Sequence, residues 1–364
     1  MSLNKKLLQT IIVVGIILVV GICAIIAISR LTNYKAVRTE DGLTLNFSQQ
    51  IEFTNEQVQK IVGKYKPEEI TVLDLSYCFK VSDISWIANL TNLKSLDISY
   101  SGVEDISAIA GLASLRTLTL NGLSIKDISA ISELHSLTGL YVANTSISSI
   151  DALSDLSELE YLSLDYTLVS DISPLADKTK LRILAISEAP VKDLSPIKNL
   201  KGLQGLNISN TGVSDISWIS EMKDLVSLGL SNNSVSDISA LSGLSSLDEL
   251  YLFNCKVENI TPLKELKKLT KLNLGNCPIK DFSPLAELNE IQSLSLYGTG
   301  ISDLSILTGL TQLKYLNLGG NTSENWSALE PLTNLEVLEI FNASITKKQL
   351  DSLNASLKGC SISF

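Results

Sequence analysis

The chain has 364 residues, 45% hydrophobic and 19% charged, which excludes wholesale disorder. Cys23, Cys78, Cys255, Cys277 and Cys360 share no CxxC spacing, so neither a disulfide-scaffolded mini-domain nor a zinc ribbon fits. The one histidine, His135, excludes any metal site needing two imidazoles and leaves Ser-His or Cys-His catalysis a single candidate base. His135 falls in a connecting loop beside Ser136 with no orienting acid evident, so it reads as a surface residue; no catalytic residue, cofactor or metal is expected. Charge is uneven. Residues 1–38 hold Lys5, Lys6, Arg30, Lys35 and Arg38 with no acid, leaving 24 basic against 39 acidic residues downstream. A nucleic-acid-binding protein carries the opposite balance, so no nucleic acid is expected as a partner.

Residues 1–6 are a short basic tail, and the next 23, Leu7 to Ser29, contain no charge. As a helix that run reaches roughly 34 Å, enough for a hydrocarbon core of about 30 Å, which predicts a transmembrane anchor over 7–29. A cleaved signal peptide ending near Ala27-Ile28-Ser29 competes with this, but the run exceeds the roughly 7 to 15 residues of a signal core. Basic residues flank both sides. The order of basic head and apolar run resembles a signal-anchor, which predicts a single-pass membrane protein, N-terminus in, with the downstream domain outside the cell.

Residues 30–43 read as a juxtamembrane linker and 44–71 as an N-terminal cap. Within the cap, Thr54-Asn55-Glu56-Gln57 is a capping-box pattern opening a helix to about Tyr65, with Val58, Ile61 and Val62 on one face. From Leu96 to Leu338, Leu-x-(Leu/Ile/Val) pairs recur at every 22nd residue, twelve in phase. The register continues to Cys360 and Ile362, and Leu73/Leu75 lies 23 residues before Leu96, so one residue is inserted near Cys78 to Val81. Fourteen stacked strands follow from this count. Residues 72–345 are the repeats; Thr346-Lys347-Lys348-Gln349 opens a closing helix, and 346–364 make a C-terminal cap of helix and strand.

Each column of the repeat has a physical assignment. In a strand Leu96 and Ile98 point inward while Ser95, Asp97 and Ser99 face the other way. Ser85 and its equivalents every 22 residues to Ser327 are Ser, Asp or Thr, suited to cap a helical turn, and Pro follows at Pro174, Pro196, Pro262 and Pro284. The convex side is therefore a series of short helical or 3-10 turns. The unit resembles the leucine-rich repeat; its length and its Ile-x-Asp-Ile-Ser-x-Leu phrase are similar to the bacterial internalin type. That resemblance covers residues 72–364. It implies an α/β solenoid, a right-handed curved superhelix with a parallel sheet on its concave face. It also implies an inward Asn ladder at the column of Cys78, Ser101, Thr145, Thr167, Thr211, Asn233, Cys255, Cys277, Thr299 and Asn321. Leu123 and Ala189 supply no donor there, so those two rungs should be weaker or wetter.

Asp83 and eight further Asp at its repeat column could line up for a cation, but Ser149, Asn259 and Asn325 fill the gaps, and all these types form turns. A turn role is expected. Cys255 and Cys277 occupy one column in adjacent turns and are expected as inert buried thiols. The aromatics point to a ligand. Eight of the ten Tyr fall in strand-face columns, Tyr77, Tyr100, Tyr141, Tyr161, Tyr166, Tyr251, Tyr297 and Tyr315; with Phe253 and Phe341 they make two groups, Tyr141, Tyr161 and Tyr166, then Tyr251, Phe253, Tyr297, Tyr315 and Phe341. Glu249 and Lys271 accompany the second group, and Asp165 and Glu188 lie by the first. Aromatic clusters on a rigid face commonly recognise protein or peptide, whereas a bare propensity of Tyr for half-wet strands would need no ligand. The expectation is a non-enzymatic, membrane-anchored repeat protein that binds a protein or peptide, or a glycan, through its concave face at the surface of a bacterial cell. The competing expectation is a cytoplasm-facing scaffold that docks an intracellular enzyme.

Overall fold

The computed structural model describes residues 34–364. Each repeat begins with three extended residues, as in β4 (Ser95–Asp97), whose central Leu96 is fully buried. Ile98, Val103, Ile106, Ile109, Leu112 and Leu115 follow it inward, so one turn of the coil presents seven aliphatic side chains to its neighbours. No turn can shield these alone, and stacking makes one continuous core from Leu43 to Leu357. The sixteen strands form a single sheet in strict chain order. From β3 (Ile70–Asp74) to β16 (Ser361–Ser363) all are parallel, with Leu96 beside Leu118 and Leu316 beside Leu338. The one 23-residue step joins Leu73 to Leu96. These are the fourteen strands counted from the sequence, and two more precede them.

Those two correct the expected linker at 30–43. β1 (Lys35–Thr39) and β2 (Gly42–Asn46) form an antiparallel hairpin, and β2 continues in parallel onto β3. Every residue of β1 is exposed, so no apolar alternation announces it; the signal lies in Leu43, Leu45 and Phe47, which alternate and are buried. Phe47 is held between Tyr34, stacked at 5.3 Å, and Phe53. Helix α1 (Asn55–Val62) is shorter than the span to Tyr65, with Val58 and Val62 buried and a reciprocal capping box between Thr54 and Gln57. At the far end α2 (Lys347–Ser356) carries the same box between Thr346 and Gln349 and buries Leu353 over the last rungs.

A second correction concerns the membrane helix in the expected fold class. Among the described residues no helix is long and apolar enough to cross a membrane. The two α-helices among the described residues have eight and ten residues, about 12 and 15 Å, against a hydrocarbon core of about 30 Å. The anchor expected at 7–29 lies outside the described residues. The fold is the solenoid.

Opposite the sheet, twelve 3-10 turns run from Ser85–Asn89 to Trp326–Leu329. The serine column does not cap them: each turn lacks a side-chain cap, and the aspartate two residues earlier does the work. Asp83 Oδ1 accepts from the Ser85 N–H at 2.8 Å, and Asp105, Asp127, Asp171, Asp193, Asp215, Asp237, Asp281 and Asp303 repeat the bond. That bond holds these carboxyls below their usual range. Among the described residues no group of three or more carboxylate, His or Cys side chains is arranged to hold a metal ion.

Candidate ligand-binding face

The residues flanking each strand leucine stand out from the sheet, and no described element crosses over them. Glu249 and Tyr251 flank Leu250 in β11 (Glu249–Tyr251), and Lys271 lies beside Glu249 one rung on. Glu249 is buried among them. Its carboxylate takes Lys271 Nζ at 2.7 Å, the Tyr251 hydroxyl at 3.3 Å and Ser227 Oγ at 3.2 Å, fixing three side chains about one charge. Burial and the neighbouring carboxylate raise the Tyr251 phenol, which stays protonated and donating. Four rungs beyond Glu249, Glu339 repeats the arrangement with the Tyr315 hydroxyl at 2.6 Å and Asn317 Nδ2 at 2.7 Å. Tyr315 is pushed up to about 12, chiefly by burial.

Phe253, Tyr297 and Phe341 share the next column outward, and the rungs between them carry Gly275 and Gly319. A Cβ on Gly319 would fall 3.0 Å from both the Tyr297 and Phe341 rings, and one on Gly275 would fall 2.9 Å from Phe253. The rings lie over the glycines. The second expected group is thus a spaced row that shares rungs with the two carboxylate networks. Among the described residues these rings do not stack on one another.

The first expected group divides. Tyr141 and Tyr161 sit on adjacent rungs of the face, half-buried, with burial pushing Tyr141 up to about 12. Tyr166 is exposed and stands on the rim beyond the strand ends, four residues past Leu162. Asp165, behind it, is buried without a cation, accepting the Ser187 N–H and Oγ at 2.7 and 2.8 Å; burial raises its carboxyl. Glu188 accepts from Asn210. The rings that do stack are Tyr77 and Tyr100, at 4.9 Å, with Phe79 edge-on to Tyr77. The sequence counts Tyr77 and Tyr100 among the strand-face tyrosines but assigns neither to a group, and Phe79 escapes it because the 23-residue step displaces it from the common register. His135 is exposed, 3.4 Å from Glu133.

Four stretches, 135–177, 201–243, 223–265 and 245–287, match the family model of leucine-rich repeats in two copies. The internalin InlF of Listeria monocytogenes is 30% identical, the match covering 81% of this chain and 80% of that one with a TM-score of 0.60. The chain is an internalin-like leucine-rich repeat protein. The functional domain of InlJ from Listeria monocytogenes, which includes a cysteine ladder, is 19% identical over 76% of this chain and 64% of its own, with a TM-score of 0.58. The plant peptide hormone receptor RGFR1, in complex with RGF2, is 21% identical over 81% of this chain and 51% of its own, with a TM-score of 0.61. At those identities the likeness is one of fold. No curated protein matches the sequence. In this internalin-like protein the ladder column holds free Cys78, Cys255 and Cys277, whose thiols donate to the carbonyls of Phe47, Leu230 and Leu252. Burial pushes Cys78 up to about 12 and Cys255 to about 11, which keeps both as unreactive thiols.

Proposed function

We propose that the protein binds a protein or peptide through its concave face and carries out no reaction of its own. The observation that supports this most is the pair of networks about Glu249 and Glu339. Each orients a tyrosine and a polar neighbour on an uncovered sheet, so little side-chain freedom remains to be lost when a partner docks. Tyr251, Phe253, Tyr297, Tyr315 and Phe341 supply the apolar contact area, Glu249 and Lys271 the polar register. The likeness of fold to a receptor solved with a peptide hormone fits the same reading.

The test is capture of partners from cells that make the protein, with wild type and a Tyr251→Ser plus Tyr297→Ser variant side by side. A partner held by wild type and lost by the variant is the predicted outcome; partners retained equally by both contradict it. The working location proposed for this face is outside the cytoplasm, supported by the uncharged run that follows Lys5 and Lys6. Protease added to intact cells should then digest the repeats, and protection would place the face in the cytoplasm.

A further inference from the structure

Thirteen successive rungs, from Tyr77 to Asn342, hold the residue four past the strand leucine in the left-handed region, with φ between 53° and 70°. Asn and Gly tolerate that conformation, and they occupy nine of the positions, Asn144 and Asn210 among them. Tyr77, Tyr100, Tyr166 and Glu188 are the exceptions, and all four fall within the first six rungs. A large side chain kept where the backbone disfavours it is the pattern expected when the side chain is needed at that point in space.

Exposure marks the same rim. Between residues 52 and 363 the large apolar side chains standing in solvent are Tyr77, Phe79, Tyr166 and Leu168, exposed by 36, 56, 43 and 59%. They come as two pairs, each pair two residues apart in one loop. Tyr77 lies flat on Tyr100, and Tyr100 in turn covers Gly122, where a Cβ would fall 2.3 Å from its ring. Four rung spacings separate Tyr77 from Tyr166, about 19 Å, which an extended chain covers in about six residues.

The charge behind this rim has one sign. Over residues 72–254 the columns flanking the strand leucines, the column three residues past them and the left-handed rim hold Asp74, Asp97, Asp165, Glu188 and Glu249, and no Lys or Arg. Serines 76, 99 and 187 and Asn210 satisfy the first four, and none of these has a cation within 4 Å among the described residues. On the flanks of the coil, by contrast, acids do pair with a lysine one rung away, as in Glu158 with Lys180 and Glu258 with Lys280.

We propose that the rim of Tyr77, Phe79, Tyr100, Tyr166 and Leu168, backed by Asp74, Asp97 and Glu188, seats an extended segment of a partner protein that bears lysine or arginine. Ammonium or guanidinium groups lie over the tyrosine faces and complete the unpaired carboxylates, while aliphatic stems cover Phe79 and Leu168. This deepens the concave-face reading and rests on it.

The test uses the full chain and a fluorescein-labelled peptide alternating Lys and Thr over about eight residues, against the same peptide with Glu for Lys, followed by anisotropy. The Lys peptide should bind and the Glu peptide should not. Tyr77→Asn plus Tyr166→Asn installs the residue that Asn144 and Asn210 already carry at this position, so the fold is kept and Tm is unchanged or higher. Affinity for the Lys peptide should nevertheless fall by about tenfold or more. Asp97→Asn plus Glu188→Gln should weaken it similarly, whereas Glu104→Gln plus Glu290→Gln, the same charge removed from exposed positions off the rim, should change it less than about twofold. Equal losses in the two charge variants, unchanged binding in the tyrosine variant, or no binding of the Lys peptide would each overturn the proposal. If it is overturned while partner capture still depends on Tyr251 and Tyr297, the basic class is wrong and the concave-face reading stands; if both fail, the face is not the binding surface.

Discussion

Asn233 uses both ends of its side-chain amide. Nδ2 donates to the carbonyls of Ile208 and Leu230 on two successive rungs, and Oδ1 accepts from the Gly212 and Val213 N–H groups. Thr145, in the same column, makes one bond, to Val142 of its own rung. A buried group stripped of its partner costs about 1 to 3 kcal/mol. Asn233→Ala should therefore destabilise by about 3 kcal/mol and Thr145→Val by about 1 kcal/mol in urea unfolding. Exchange of the Gly212 and Val213 amides should speed up only in the first variant. Equal effects would mean that the amide is not bridging rungs. Much of this column was visible in the sequence, because donors recur every 22 residues. The direction of each bond was not, since Cys255 reaches back one rung while Thr145 stays on its own. The glycines that make room for Phe253, Tyr297 and Phe341 are legible only once the columns are aligned. Gly319→Ala should force both neighbouring rings to give way by a few tenths of an ångström, and partner capture should weaken with little change in Tm. Full retention of capture would separate those rings from binding.

The 3-10 turns are the element whose chemistry the sequence suggested in part. Both the Asp and the Ser columns were visible, and both contain good capping side chains. Only the geometry shows that the serine is already the first residue of the turn, so that its own N–H needs an acceptor and Asp two residues back supplies it. Nine such carboxyls lie below their ordinary value. Their contribution is thus present above the unfolded value of about 3.9 and lost as pH falls through the lower folded values. Tm should hold from neutral pH to about 4 and drop below it, and Asp→Asn at several of these turns should shrink the drop. Asp97 and Asp165 run the other way: burial raises them, so what they add is present at low pH and lost as pH rises through their folded values. Asp165→Asn should narrow the gap in Tm between about pH 7 and about pH 4.5; a gap unchanged or widened would show that Asp165 is not the buried charge described. At the C-terminal end, Thr346→Ala removes the cap of α2 and should cost about 1 kcal/mol, with faster amide exchange confined to that helix.

At the scale of the molecule the strict period made the solenoid, its sheet and its core readable from the chain alone, because every rung must bury the same columns against the next. The ends were harder. β1 has no buried face, so although it pairs with β2 across the short turn at Glu40 and Asp41, it carries no apolar alternation to read. A quasi-one-dimensional stack also predicts tolerance to a shorter array. Deleting residues 201–222 keeps every column in phase, so the product should fold with a cooperative transition a few degrees lower, whereas a 21-residue deletion at the same place should not. The deletion brings the Tyr141/Tyr161 and Tyr251 groups about 4.8 Å closer, which would alter capture of any partner that touches both. The central claim is that the sheet side, and not the turn side, meets the partner. A photo-crosslinking residue placed in turn at Tyr251, at Tyr166 and at the exposed convex Glu133, in living cells, tests it most directly. The account predicts one shared crosslinked species from Tyr251 and Tyr166 and none from Glu133; crosslinking from Glu133 alone, or equally from all three, would contradict it.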